Sequence, residues 1–335
     1  PERPEERPKT PAVKLSKSIL STLLSLALLL PYSGFAEAAE KRLAYIVSDQ
    51  RIPFWDIMRR GISTRAAELG YKLATYSAEN DARRELEFTV KAVRDKVDGI
   101  ILSPTNSSAA ATILKIAGTA GIPVVIADIG ADRDDYLSYI ASDNYAGSYE
   151  LGKLLVKAMR ERNWESGRVG IIAIPQKRAN GKARTAGFMK ALVEAGFKAA
   201  DIRQQVDFSY RETFAFTRQM IAANPDLRAL WLQGSDRYQA ALDAITEEGK
   251  RDQILLICFD AEPEFIDMIA DGRLVGAGMQ QPFLMGEEAV NTMARHLAGG
   301  KVVKERKLPV LAVSNANLKS LLPVIRRNVL GQPAR

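Results

Sequence analysis

The side chains best placed for chemistry in this sequence are polar groups at the ends of apolar runs. Asp128 follows the run 123–127, Asp260 closes Ile257-Cys258-Phe259-Asp260, and Gln280 follows the run 274–279. Arg184 opens the helix-like segment 182–194. A carboxylate accepts from two neighbouring hydroxyls, and a guanidinium donates to two oxygens through a planar fork. A strand-terminal Asp equally serves as the cap of the next helix, a lone arginine as a surface charge, and a loop amide can stand alone. Each residue by itself therefore leaves both roles open. Ser48 ends the run 43–48, and Pro53-Phe54-Trp55 opens the following helix with two rings outside a helix-core stripe. Such rings suit the apolar C–H face of a sugar, or packing against a sheet.

Catalytic apparatus is missing. The single histidine, His296, lies in the helix-like run 287–297, and no nucleophile elbow, P-loop or dinucleotide-binding glycine motif follows a strand. No metal set and no cofactor are expected, and the chain is not expected to be an enzyme. Acid–base work by Asp128 and Asp260 facing each other is the remaining catalytic alternative.

These residues need strands to hold them. Short β-rich runs at 43–48, 72–76, 99–102 and 123–127 alternate with helix-period segments, and a second series follows at 169–174, 202–206, 229–232, 254–259 and 274–279. That alternation is the pattern of βαβ units, with an amphipathic helix expected after each strand. The fold class expected is α/β: two doubly wound parallel-sheet lobes. The series meet near 140–144 without a Pro/Gly-rich linker, as at a hinge. Ligands of parallel sheets bind beyond the carboxyl ends of the strands, which puts the site between the lobes.

Composition narrows the class further. The 335 residues carry 47 basic and 40 acidic side chains spread along the chain, a formal charge of +7 without the clustered patch that nucleic-acid binding requires. The only cysteine, Cys258, sits in an apolar run and reads as core filler, so no intramolecular disulfide forms. Lys14 and Lys17 precede the apolar run 19–30, and Ala36-Glu37-Ala38 offers a small-x-small cleavage pattern, which predicts export with cleavage near Ala38. Residues 1–11, rich in Pro, Glu, Arg and Lys, are too polar to order themselves. Residues 1–40 hold no helix-turn-helix pattern, which argues against a repressor built on a similar two-lobed core.

The segments 48–55, Ile140-Ala141-Ser142-Asp143-Asn144, 184–188, Phe259-Asp260 and Gln280 with Pro282 occur in an order and spacing that resembles the ribose-binding family of periplasmic sugar receptors, over about residues 41–313. The resemblance implies a monomeric type I periplasmic binding fold with a three-strand hinge near Ser142, Gln280 and Leu308-Pro309. The first lobe would be 41–142 with 281–309, the second 143–280 with the tail 310–335, after a start and signal peptide at 1–38. It implies ligand contacts from Ser48, Phe54, Trp55, Asp128, Arg184, Phe208, Asp260 and Gln280, with Phe54 and Phe208 sandwiching a ring. The implied partner is an ABC-type permease, or else a sensor kinase or chemoreceptor.

Three positions depart from the family pattern: Ile52 and Gly234 stand where ribose receptors have asparagines, and Ile129 where they have arginine. Hydroxyls set against apolar walls lose water without replacement. A ligand with fewer hydroxyls than ribose is expected, with Gln50, Arg51, Ser235 or Asp236 as replacement contacts.

Overall fold

The computed structural model describes residues 41–332, so the export signal expected at 1–38 lies outside the described residues. The first half runs β1 (Arg42–Val47), α1 (Pro53–Glu68), β2 (Lys72–Ser77), α2 (Ala82–Arg94), β3 (Gly99–Ser103), α3 (Ser107–Thr119), β4 (Val124–Ala127) and β5 (Ser138–Ser142). The second continues with α4 (Asn144–Arg160), β6 (Arg168–Ala173), α5 (Ala179–Glu194), β7 (Lys198–Gln204), α6 (Tyr210–Ala223), β8 (Leu227–Leu232), α7 (Tyr238–Glu247), β9 (Leu255–Phe259), α8 (Phe265–Ala270) and β10 (Gly276–Met279). The last elements are α9 (Pro282–Leu297), β11 (Glu305–Leu308), β12 (Leu311–Ser314), α10 (Leu318–Val324) and a π-helical turn, Ile325–Val329.

Two six-stranded sheets result, in the orders β11-β5-β4-β3-β1-β2 and β12-β10-β9-β8-β6-β7. The inner strands bury both faces, as β3, β4 and β9 do along their whole length, which is why they read as unbroken apolar runs rather than as alternation. Cys258 is fully buried among them. The chain passes from one sheet's lobe to the other three times, between β5 and α4, between β10 and α9, and between β11 and β12. Helices α1 and α9 close the first lobe at short range. A Cβ on Gly61 would lie 2.2 Å from the Phe283 carbonyl oxygen, so only glycine permits this contact.

Several details differ from the sequence expectation. β4 is followed by a loop and then by β5, not by a helix, because 128–137 carries Gly130 and the run Asp132-Arg133-Asp134-Asp135 in place of an apolar helical stripe. The strand expected at 202–206 lies at Lys198–Gln204: this is an edge strand paired only with β6, and Val206 beyond it is 80% exposed. β12 runs antiparallel to β10, so the second sheet is parallel except at that edge. The short strands β5, β11 and β12 fall outside both expected series; two of them bracket Pro309, where the chain changes lobes.

Candidate functional site

A cleft open to solvent lies between the lobes at the carboxyl ends of the strands, the place where open parallel sheets bind ligands. The first lobe presents Ile52, Pro53, Phe54, Trp55, Ile57, Ile129 and Pro282, together with one charged group, Asp128. The facing wall carries Arg178, Asn180, Arg184, Gln233, Ser235, Asp236, Asp260, Glu262 and Gln280.

Asp128 and Asp260 are held in the same way in the two lobes. Each follows a strand, each adopts positive φ (70° and 68°), and each backbone N–H donates to the neighbouring strand, at Ile140 O (3.0 Å) and Gly278 O (2.9 Å). The Tyr139 hydroxyl donates to the Asp128 carbonyl at 2.7 Å and braces the first turn. Left-handed backbone at a non-glycine residue costs about 1–2 kcal/mol and persists where the surroundings enforce it, often at functional sites. Phe208, also on the cleft wall, has φ 56°.

The second lobe's polar wall is already wired. Arg184 Nε donates to Asn144 Oδ1 at 2.8 Å, Nη1 donates to the Gln233 carbonyl at 2.6 Å, and Nη1 lies 3.6 Å from Asp260 Oδ2. Its guanidinium carbon sits 3.9 Å from the Phe259 ring centroid. One turn on, Phe188 stacks on Trp231 at 3.9 Å and 14°, which locks the helix face carrying Arg184. Gln280 Nε2 donates to Asp260 Oδ1 at 2.6 Å, and the Ser235 hydroxyl donates to Glu262 at 2.8 Å.

Two acceptors stay unsatisfied. Asp128 Oδ1 and Gln280 Oε1 are buried without a hydrogen-bond partner, one on each side of the cleft. Burial pushes the Asp128 carboxyl up to about 6, with Arg184 pulling it down, Asp260 adding to the rise and Arg178 pulling it down. Burial also raises Asp260, against Arg184 and the Gln280 hydrogen bond, and lifts Glu262 to about 7. The Arg178 side chain has no hydrogen-bond or ion-pair partner among the described residues; burial lowers its pKa while Asp128 across the cleft raises it.

Of the residues expected to contact a ligand, Phe54, Trp55, Asp128, Arg184, Phe208, Asp260 and Gln280 all line the cleft. Trp55 is 7% exposed and packs mainly into the first lobe's core, edge-on to Phe54 at 5.0 Å and 88°. Ser48 is not among the lining residues: it is buried just after β1, its N–H bonded to Ser103 O at 2.9 Å. Gln50 and Arg51 also lie off the cleft wall, Arg51 being turned onto Asp49 at 2.7 Å with its side chain 68% exposed. Ser235 and Asp236 do line it. His296 is in the last turn of α9, away from the cleft.

Sequence reasoning missed Arg178, Gln233 and Glu262. All three follow strands (β6, β8 and β9), so the strand-end rule applied systematically finds them. Val329 also lines the cleft, and no signal in its sequence neighbourhood points there. Among the described residues no cluster of His, Cys, Asp or Glu has metal-binding geometry, and no helix is long and apolar enough to cross a membrane. The arrangement suits reversible recognition of a small polar molecule: one wall is apolar apart from Asp128, and the other sets fixed donors and acceptors among Ile174, Phe208, Ala261 and Val329.

Comparison with known proteins gives the same picture. Residues 43–301 match the model of a periplasmic binding protein domain. The chain is 29% identical over 301 residues to the ribose import binding protein of Haemophilus influenzae, covering 89% of this chain and 97% of that one. It is 25% identical over 299 residues to a D-apiose import binding protein of Actinobacillus succinogenes, covering 88% and 95%. Among solved structures, a periplasmic solute binding protein of an ABC transporter from Actinobacillus succinogenes with bound D-allose superposes with a TM-score of 0.77 at 20% identity, covering 84% of this chain and all of that one.

Proposed function

We propose, from the premise that this chain belongs to the periplasmic binding protein family whose model spans most of it, that it encloses a small neutral sugar other than ribose and delivers it to an ABC-type permease. The observation that carries this reading is the pair of buried, donorless acceptors, Asp128 Oδ1 and Gln280 Oε1, on opposite walls of one cleft. Each unsatisfied buried group costs about 1–3 kcal/mol. A ligand with hydroxyls on opposite edges supplies both donors at once, and only when the lobes are together.

Neutrality follows from charges that offset one another across the cleft, Arg178 facing Asp128 and the others paired. Arg184 lies 3.6 Å from Asp260, and Asp236 lies 3.1 Å from Arg237. Isoleucines at 52 and 129 take the apolar side of the ligand, which favours a deoxy or methylated sugar. The three passages between the sheets would serve as the hinge, with ligand contacts made only in the closed state driving the motion. Relatives that serve sugar import favour a permease as partner over a sensor kinase or chemoreceptor. The pattern at 1–38 expected to be an export signal, together with periplasmic family membership, supports the periplasm as the location.

The test is a thermal-shift screen followed by calorimetry, with D-ribose, D-allose, D-apiose, 2-deoxy-D-ribose, 6-deoxyhexoses and methyl pentosides. A ligand that binds only the folded state raises the melting temperature. The expected result is a larger shift for a deoxy or methylated sugar than for D-ribose. Ribose as the strongest binder would overturn the specificity, and no shift with any sugar would overturn the function.

A further inference from the structure

The tail beyond β12 touches both lobes. Ile325, Val329 and Leu330 are buried in the second lobe's core cluster, and Val329, 3% exposed, also lines the cleft. The polar side of the same turn faces the first lobe. Arg60 of α1 donates to Gly331 O at 2.7 Å and to Leu330 O at 3.1 Å. Arg327 pairs with Glu287 of α9 at 2.7 Å and lies 5.4 Å from the Phe283 ring centroid. Asn328 Nδ2 donates to Gln281 Oε1 at 2.9 Å, while Gln281 Nε2 donates to Pro309 O at 2.8 Å. One buried amide thus joins the tail to two of the three interlobe passages.

The sequence explains this two-sided shape. Pro323 lacks the N–H that would continue the helical ladder, and the chain proceeds as a π-turn at Ile325–Val329, a geometry found mostly as single turns and often at functional positions. In that turn the apolar residues 325, 329 and 330 fall on one side and 327 and 328 on the other. Gly331 follows at φ +60°, where a Cβ would lie 3.1 Å from both Arg60 Nη atoms.

We propose that residues 325–331 form a clasp, a fourth and non-covalent tie between the lobes, that limits how far they separate and sets Val329 into the cleft wall. The proposal rests on the reading above in that the lobes must move relative to one another. A tie anchored in one lobe's core and hydrogen-bonded to two helices of the other restricts rotation beyond what three chain passages allow. Loosening it therefore favours the open state and weakens any ligand that needs the closed one.

The experiment compares the full-length wild-type protein with the double variant Arg60→Ala/Arg327→Ala, and independently with Glu287→Ala. Spin labels go on Lys115→Cys and Lys198→Cys, exposed positions in the two lobes, while the native Cys258 is buried and stays unlabelled. Without ligand, pulsed electron resonance is expected to show a broader distance distribution with a longer mean in both variants. Distributions that superimpose on wild type would overturn the clasp, even if the melting temperature falls, because a merely stabilising contact lowers stability without changing the distribution. For whichever panel sugar binds, affinity is expected to fall about fivefold in the double variant. If no panel sugar binds the wild type, the proposed ligand class fails while the ligand-free distances still decide the clasp.

Discussion

The two walls of the cleft are built on opposite principles. The first lobe offers six apolar side chains between Ile52 and Ile129, with Pro282 beside them and Asp128 as the only ionisable group. The second offers two guanidinium groups, three carboxylates and three amides beside Ile174, Phe208, Ala261 and Val329, and most of the polar groups already have partners within that lobe. The same device, a carboxylate at positive φ after a strand, appears once in each lobe, yet only Asp260 has protein partners. Asp128 Oδ1 has none. Under the proposed function, the difference assigns affinity and selectivity to different walls. A prewired wall orients a ligand at little reorganisation cost, while an apolar wall with one unsatisfied carboxylate rejects molecules whose hydroxyls it cannot match.

The largest effect should come from breaking the prewired wall. Asp260→Ala leaves Arg184 with one ionic partner fewer and Gln280 Nε2 without its acceptor. Truncating one member of a buried charged pair costs about 2–5 kcal/mol, so calorimetry on the best panel sugar is expected to show a loss of affinity of about 100-fold or more. An unchanged circular dichroism spectrum would show that the fold survives. Wild-type affinity in this variant would take Asp260 out of the site and undo the contrast between the walls.

Asp128 gives a test of opposite sign in the two states. Its carboxyl titrates near 6, above the ordinary value of 3.8. In the ligand-free protein the folded state holds the proton more tightly than the unfolded one, so this group's contribution to stability falls as pH rises from about 4 to about 6. A ligand hydroxyl donating to the carboxylate needs the ionised form. Affinity is therefore expected to fall about tenfold from pH 7 to pH 5, with binding in that range releasing a proton from Asp128. Asp128→Asn should flatten that profile; a pH dependence surviving in the variant would assign it to another group, Glu262 first, which titrates near 7.

Much of this site is legible in the sequence, and the reason is topological. In a doubly wound sheet a side chain directly after an inner strand has few places to go, so Asp128, Asp260 and Gln280 reach the cleft by position alone. Ser48 obeys the same rule and fails it, because its backbone goes on pairing with both neighbours, N–H to Ser103 O and carbonyl to Asn80 N–H, and the side chain stays buried there. The loop after β4 and the edge strand β7 escape the pattern because half-exposed segments carry weak apolar periodicity. Val329 is beyond reach of any strand rule: its place depends on a π-turn after Pro323 and on partners roughly 270 residues earlier in the chain.

Arg178 sharpens the comparison from the prewired side. It is the cleft's guanidinium without a partner among the described residues, and it faces Asp128 from the opposite wall. If it donates to a ligand oxygen, Arg178→Ala costs about tenfold in affinity, the worth of one hydrogen bond to a charged group. Arg178→Lys should recover part of that, because charge without the planar fork supplies only one of the two contacts. A loss below twofold in the alanine variant would leave Arg178 as a solvated charge at the rim.

The smallest effect expected is also the most selective, and it is made on the apolar wall. Ile52 is 36% exposed and Ile129 5%, so an asparagine at 52 can be solvated in the open cleft and disturbs the core little. Ile52→Asn adds a donor and an acceptor where a ribose hydroxyl would otherwise lose water unreplaced. It is expected to improve D-ribose binding by about fivefold, near 1 kcal/mol, and to weaken a deoxy sugar by a similar factor. The ratio of the two dissociation constants is the quantity to measure, since a general change in closure moves both affinities in the same direction and cancels in the ratio. A ratio that does not move would mean that selectivity does not reside in the apolar wall, and that the walls differ in composition without dividing the work of recognition.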